Sequence, residues 1–156
     1  MKLAYIFLLA LPIFAQQSEF AAGRSSFQAG EFKEAVAHFQ RALQDNPKDG
    51  ASAYWIGRSY ETLADMSTFG HGNRSRARAY LTMAVELAPN RSEYRRELFH
   101  FLVDNDNLRQ AGTVLQAAES DPEYDEMLNR FREARRRDSS VDGRVSKAFQ
   151  LVTAWQ

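Results

Sequence analysis

Residues 28–47 read QAGEFKEAVAHFQRALQDNP, and no other stretch limits the possible folds of this chain as strongly. Phe32, Ala35, Val36, Phe39, Ala42 and Leu43 recur at intervals of three and four, the stripe of an amphipathic helix. Gly30 breaks the pattern ahead of it. Asn46-Pro47 ends it, because proline lacks the N–H a helix needs and disfavours helical backbone at the residue before it. Upstream, Phe20 to Phe27 places Ala, Gly and Phe at helical spacing. The local reading is a helix, a tight turn, a second helix and a short loop.

The layout returns twice. Tyr54, Trp55, Gly57, Tyr60 and Leu63 mark a first helix, Ala77, Leu81, Ala84 and Val85 its partner, and Pro89 closes the pair. Tyr94, Leu98, Leu102 and Val103 begin a third pair, which Leu108, Ala111, Leu115 and Ala118 complete before Pro122. Gly23, Ala35, Gly57, Ala77 and Ala111 are expected where two helices cross closely, since a larger side chain would hold the axes apart.

With these residues in place the chain resembles the tetratricopeptide-repeat (TPR) family. Gly23, Gly30, Phe32, Ala35, Phe39, Ala42, Leu43 and Pro47 match its pattern in the first unit. Gly57, Tyr60, Ala77, Ala84 and Pro89 match in the second, and Leu98, Leu108, Ala111, Leu115 and Ala118 in the third. The resemblance implies an all-α solenoid of antiparallel helix pairs forming a short right-handed superhelix. The pairs are expected at 16–49, 50–91 and 92–122, with C-terminal capping helices at 123–156.

The second and third units depart from the pattern. Gly57 and Pro89 lie eight residues further apart than Gly23 and Pro47, an insertion near 64–75 that reads as a mobile loop around Gly70 and Gly72, as a tolerated long turn, or as an extension of the Tyr54 helix to Met66. Phe99 stands where the small residue is expected, Gly112 lies inside a helix, and Pro122 comes one position early. Further on, Tyr124, Met127, Leu128, Phe131 and Ala134 form one helical stripe. DSSVDGR reads as a linker, and Val145, Ala148, Phe149, Val152 and Trp155 as a last short helix that packs back or docks elsewhere. Asn90 with Glu93 reads as a helix N-cap with its capping box.

The N-terminus, MKLAYIFLLALPIFAQQ, carries one early lysine and then thirteen uncharged residues from Leu3 to Ala15. A spanning helix needs about 20 apolar residues, so residues 1–15 are expected to be a secretory signal peptide, with a retained anchor as the alternative. The expected location is exported, periplasmic or secreted, in a bacterium. With no cysteine in the chain, packing alone is expected to hold the fold.

Charge is balanced, 20 basic against 20 acidic residues, which argues against a general nucleic-acid binder. RFREARRR leaves room for weak contact with an anionic membrane surface. The three histidines, His38, His71 and His100, fall in different units, and no phosphate loop, zinc motif or nucleophile elbow is present. No cofactor, metal or catalytic residue is expected, and His38 is expected to pair with Glu34 one turn before it.

The resemblance further implies a concave wall built by the first helix of each pair. Carried over position by position, it would hold Phe20, Arg24 and Phe27, then Tyr54, Arg58 and Glu61, then Arg96 and His100. Guanidinium forks beside flat apolar surface suit a peptide bearing carboxylates, and the alternative is that the arginines solubilise a helix face and bridge to Glu19, Glu61 or Glu93. The Asn and Lys of the family's carboxylate clamp are missing, their places held by Phe20, Arg24 and Arg58, so that activity is not carried over. Phe69, His71 and Trp155 are candidates for further contacts. The expected function is an exported protein–protein interaction scaffold whose partner is a protein or peptide, an acidic one by this wall. The alternatives are a homo-oligomer formed through the C-terminal helix and a small-ligand-binding protein or enzyme on the same frame.

Overall fold

The computed structural model describes residues 19–68 and 70–153, with side chains through residue 139. Seven helices and no strand occur among them. Residues 19–28 form α1, followed by α2 (Phe32–Asp45), α3 (Gly50–Asp65), α4 (His71–Leu87), α5 (Ser92–Asp104), α6 (Leu108–Gln116) and α7 (Tyr124–Thr153). The chain divides into two compact units, Met1–Tyr94 and Arg95–Gln156, so the division falls inside α5 and not at the start of the third helix pair. No described helix is long and apolar enough to cross a membrane.

In the first unit α1 ends in a reversal that needs Gly30. Its φ is +80°, and the N–H groups of Gly30 and Glu31 reach back to the carbonyls of Phe27 (3.1 Å) and Ser26 (2.9 Å). This pair of bonds is the Schellman cap, which satisfies carbonyls the helix end would otherwise leave open. The turn brings α2 against α1, and the close crossing has its expected cause. A Cβ on Gly23 would lie 2.8 Å from the Phe39 ring, and one on Gly57 would lie 2.8 Å from Leu81 Cγ. Ala35, Phe39, Ile56, Ala77 and Leu81 are fully buried, with Phe20, Phe27, Trp55 and Tyr60 packed around the Phe39 cluster. At the start of α3 the Asp49 side chain accepts from Ala51 N–H (3.0 Å) and from the buried Ser52 hydroxyl (2.6 Å), which caps the helix and satisfies a core hydroxyl.

In the insertion the helix-extension alternative holds: α3 is prolonged and Gly72 lies within α4. Seven residues after Gly57 stands Ala64, where the first unit has Gly30, so α3 does not reverse there and runs on to Asp65. The added residues lengthen both helices, and α4 already begins at His71. Gly70 is held tightly, for a Cβ there would lie 2.4 Å from the Ala64 carbonyl oxygen, whereas Gly72 is helical with open space around it.

In the second unit α5 ends as α1 does. Asp106 and Asn107 bond back to the carbonyls of Val103 (3.1 Å) and Leu102 (2.8 Å), and Asp106 takes φ +56°. Phe99, at the expected small position, is fully buried, as is Ala111 opposite in sequence pattern. Gly112 lies where α7 comes close, since a Cβ there would sit 3.2 Å from Phe131 Cζ. Two local expectations are corrected. The helix starts at Ser92, so Arg91 precedes it and Asn90 is one position too early to cap it. DSSVDGR is not a linker but part of the 30-residue α7. Ser, Asp and Gly weaken a helix locally, yet Ser139 turns its hydroxyl onto the Arg135 carbonyl one turn back (2.8 Å), which leaves the backbone ladder intact.

Candidate functional site

The most organised polar–aromatic arrangement in the first unit centres on Trp55 of α3. The guanidinium carbon of Arg24, from α1, lies 3.9 Å from the centre of its ring. Phe27 meets the same indole edge-to-face at 4.9 Å, and Tyr54 does so at 5.4 Å. Phe39 supports it from the core at 6.2 Å. Trp55 is half-buried, and a guanidinium drawn over its negative face loses little of its ability to bond in its own plane. The Arg24 Nε–H is buried and meets no acceptor among the described residues.

Of the expected wall aromatics Phe20 and Phe27 are half-buried, as Trp55 is, and only Tyr54 is turned away from solvent. Tyr54 is only 4% exposed, and its ring stacks on Tyr94 at 4.6 Å. Burial pushes the Tyr94 hydroxyl above its ordinary range. Phe20 packs edge-to-face on Phe39 at 5.5 Å, and Phe27 on Phe32 at 5.2 Å. These rings build a frame around Trp55 and Arg24, which are half-buried with them.

Arg58, one turn beyond Trp55 on α3, approaches Glu61 at 3.2 Å and the Tyr54 hydroxyl at 3.4 Å. His38 does not pair with Glu34. Its Nδ1 is 2.8 Å from a Glu19 oxygen that also accepts from Arg41 Nε at 2.9 Å, tying the first turn of α1 to α2. The His38 hydrogen bond, helped by Arg41 and opposed by burial, holds the Glu19 carboxyl below its ordinary value.

Arg96 and His100 belong to the second unit. Arg96 is committed to carboxylates there: Asp121 at 3.2 Å, whose side chain is fully buried, and Glu123 at 3.2 Å. The same Asp121 oxygen accepts from the Glu123 N–H (3.0 Å) at the entry to α7. His100 Nδ1 is buried with no hydrogen-bond partner among the described residues. His71 is exposed at the first position of α4, while Phe69 and Trp155 lie outside the described residues. Among the described residues no cluster of His, Cys, Asp and Glu is gathered to hold a metal.

Sequence reasoning treated Trp55 only as a helix marker and missed Asp121, Glu123 and the Glu19–His38–Arg41 cluster. Spacing signalled only the first of these. Trp55 sits three residues before Arg58, and Arg58 repeats the register of Arg24. The partners of Arg96 and His38 come from other helices, so no spacing within one helix reveals them.

Comparison with known proteins agrees with this architecture. Residues 19–49 match the family model of the tetratricopeptide repeat. The first TPR of Spaghetti (RPAP3), solved bound to the HSP90 peptide SRMEEVD, superimposes with a TM-score of 0.64 at 15% identity, covering 80% of this chain and 96% of that one. The TPR2B domain of yeast Sti1, solved as a pHsp70 complex, gives a TM-score of 0.66 at 14% identity over 80% of this chain and 98% of that one. No curated protein matches the chain in sequence. The chain is a TPR-type all-α solenoid, with one repeat recognised directly at 19–49.

Proposed function

We propose that this chain is an exported interaction scaffold that holds a carboxylate-bearing segment of another protein, and that residues 1–15 are its signal peptide. The observation that carries the reading is Arg24 laid over Trp55, its guanidinium paired with no carboxylate among the described residues. A guanidinium already oriented by a ring loses less freedom on binding and offers a fork that matches a carboxylate. Arg58 stands at the same register one repeat on, and Trp55 supplies apolar surface between the two. Solved domains of the same fold, one holding an HSP90 peptide rich in acidic residues, support a peptide as the ligand class.

The groove is assigned to Arg24, Trp55, Arg58 and Glu61, with Phe20, Phe27 and Tyr54 as its frame. The test is fluorescence anisotropy with labelled SRMEEVD and its Gln-for-Glu counterpart as probes. Binding of the acidic form, lost in an Arg24→Ala/Arg58→Ala variant, is the expected result. Equal binding of both forms, or binding unchanged in the variant, would refute this site. Export is checked separately, by N-terminal sequencing of the chain recovered from the envelope of its host, with a start near Ala15 or Gln16 expected.

A further inference from the structure

Most arginines with described side chains have an evident internal use. Arg24 and Arg76 lie over rings, Arg41, Arg74 and Arg130 meet carboxylates, Arg96 meets two, and Arg95 donates to the Ala117 carbonyl. A group on one edge of the second unit departs from this habit. Arg109 on α6 and Arg132, Arg135 and Arg136 on α7 are exposed, and none forms an ion pair among the described residues. Four neighbouring cations held in no ion pair among the described residues repel one another, in a chain whose total charge is zero. Arg109 also occupies the first turn of α6, where the helix dipole is already positive.

These cations border a hollow. Between α6 and α7 a cleft of about 380 Å³ is lined by Arg109 and Arg135, with the half-buried Leu108 and Phe131 at its apolar side. Gly112 lies on its wall, where a Cβ would sit 3.2 Å from Phe131 Cζ. Arg135 continues into a second hollow with Arg132 and Arg136. Asp138 is the one acidic residue on either lining.

We propose that this cleft is a second docking site, for a carboxylate-rich segment of a partner protein that carries an apolar side chain between its acidic residues. Charge complementarity selects the carboxylates, and guanidinium groups grip them through paired N–H bonds. The Leu108–Phe131 surface takes the apolar side chain, which a flat lipid headgroup layer would leave unfilled. The site lies in the second unit and shares no residue with the Arg24–Trp55 surface.

The experiment uses the whole chain at low salt and a labelled glutamate peptide with regularly spaced leucines. A leucine-free glutamate peptide and phosphatidylglycerol vesicles are run beside it. The leucine-bearing peptide is expected to bind best. Its affinity should drop by at least about tenfold in an Arg109→Gln/Arg132→Gln/Arg135→Gln/Arg136→Gln variant, whose changes are all on exposed side chains. The Arg24→Ala/Arg58→Ala variant should bind it as the parent chain does. The proposal is overturned by absence of peptide binding, by equal binding in the four-glutamine variant, by loss only when Arg24 and Arg58 are replaced, or by capture of the vesicles in preference to the peptide. Loss in the Arg24/Arg58 variant alone would leave the first groove standing and remove the second.

Discussion

Arg24 of α1 and Trp55 of α3 meet face to face, the guanidinium carbon 3.9 Å from the ring centre, so a cation of the first repeat is anchored by the second. The contact links stability to the proposed binding surface. A cation–π pair of this kind contributes about 1 kcal/mol when partly exposed, and Arg24→Ala is expected to lower unfolding free energy by that amount. The check is chemical denaturation in a Trp155→Phe background, in which Trp55 is the sole reporter and its emission should shift on loss of the cation. Trp55→Ala removes three ring contacts as well and should cost about 3 kcal/mol or more.

The glycines separate by what surrounds them. Gly57→Ala would push a Cβ into Leu81 at 2.8 Å, and overpacking of this kind costs about 1–3 kcal/mol even after the gain in helix propensity. Gly72→Ala, helical and open, should instead stabilise by roughly 0.5 kcal/mol. Opposite shifts in melting temperature for the two variants are the expected readout.

Gly30 and Asp106 close α1 and α5 with the same pair of back-reaching bonds, but only Gly30 adopts positive φ without steric cost. Asp106→Gly is therefore expected to stabilise the second unit by about 1 kcal/mol, and Gly30→Ala to weaken the first by a similar amount. Hydrogen exchange at the amides of Asn107 and Glu31 reports each turn directly.

Glu19 makes the junction of α1 and α2 sensitive to acid. His38 and then Arg41 hold its carboxyl below the ordinary value of 4.5. A carboxyl lowered on folding adds stability that is fully present above its unfolded pKa and is lost as pH falls through the folded one. Glu19→Gln should thus reduce the melting temperature at neutral pH. The difference from the parent chain should shrink as pH drops below about 4.5 and vanish in stronger acid. A difference that grows in acid would contradict the assignment.

Asp121 is a buried carboxylate that serves Arg96 and the Glu123 N–H together. Asp121→Ala removes the buried carboxylate from Arg96 and opens the entry to α7, and should cost about 2 kcal/mol. Denaturation followed by circular dichroism, together with exchange at the first α7 amides, would register it.

Much of the fold is legible in the sequence because it is written locally. Phe32 to Leu43 carry a helical period, Gly30 and Pro47 mark its ends, and Gly23 and Gly57 predict close crossings. These features depend on residues within one or two turns, where backbone sterics and periodicity decide the outcome. The same local logic misread DSSVDGR, because a few weak helix formers are outvoted when the ladder on both sides continues. For the insertion the helix-extension reading holds and the loop reading does not. Glycines suggest a loop, but Ala64 in place of a turn-forming residue lets α3 continue, and Gly70 is there for closeness to a carbonyl.

The sequence alone determined that the chain is a set of amphipathic helix pairs with small residues at their crossings, and that Arg24 and Arg58 share a register. Only tertiary structure decided what those residues meet. It turned Tyr54 inward onto Tyr94, laid Arg24 on Trp55, gave His38 to Glu19, and left Arg109, Arg132, Arg135 and Arg136 facing solvent around a cleft. Periodicity assigns a residue to a helix face, whereas its partner is set by which other helix packs there, often tens of residues away in the chain.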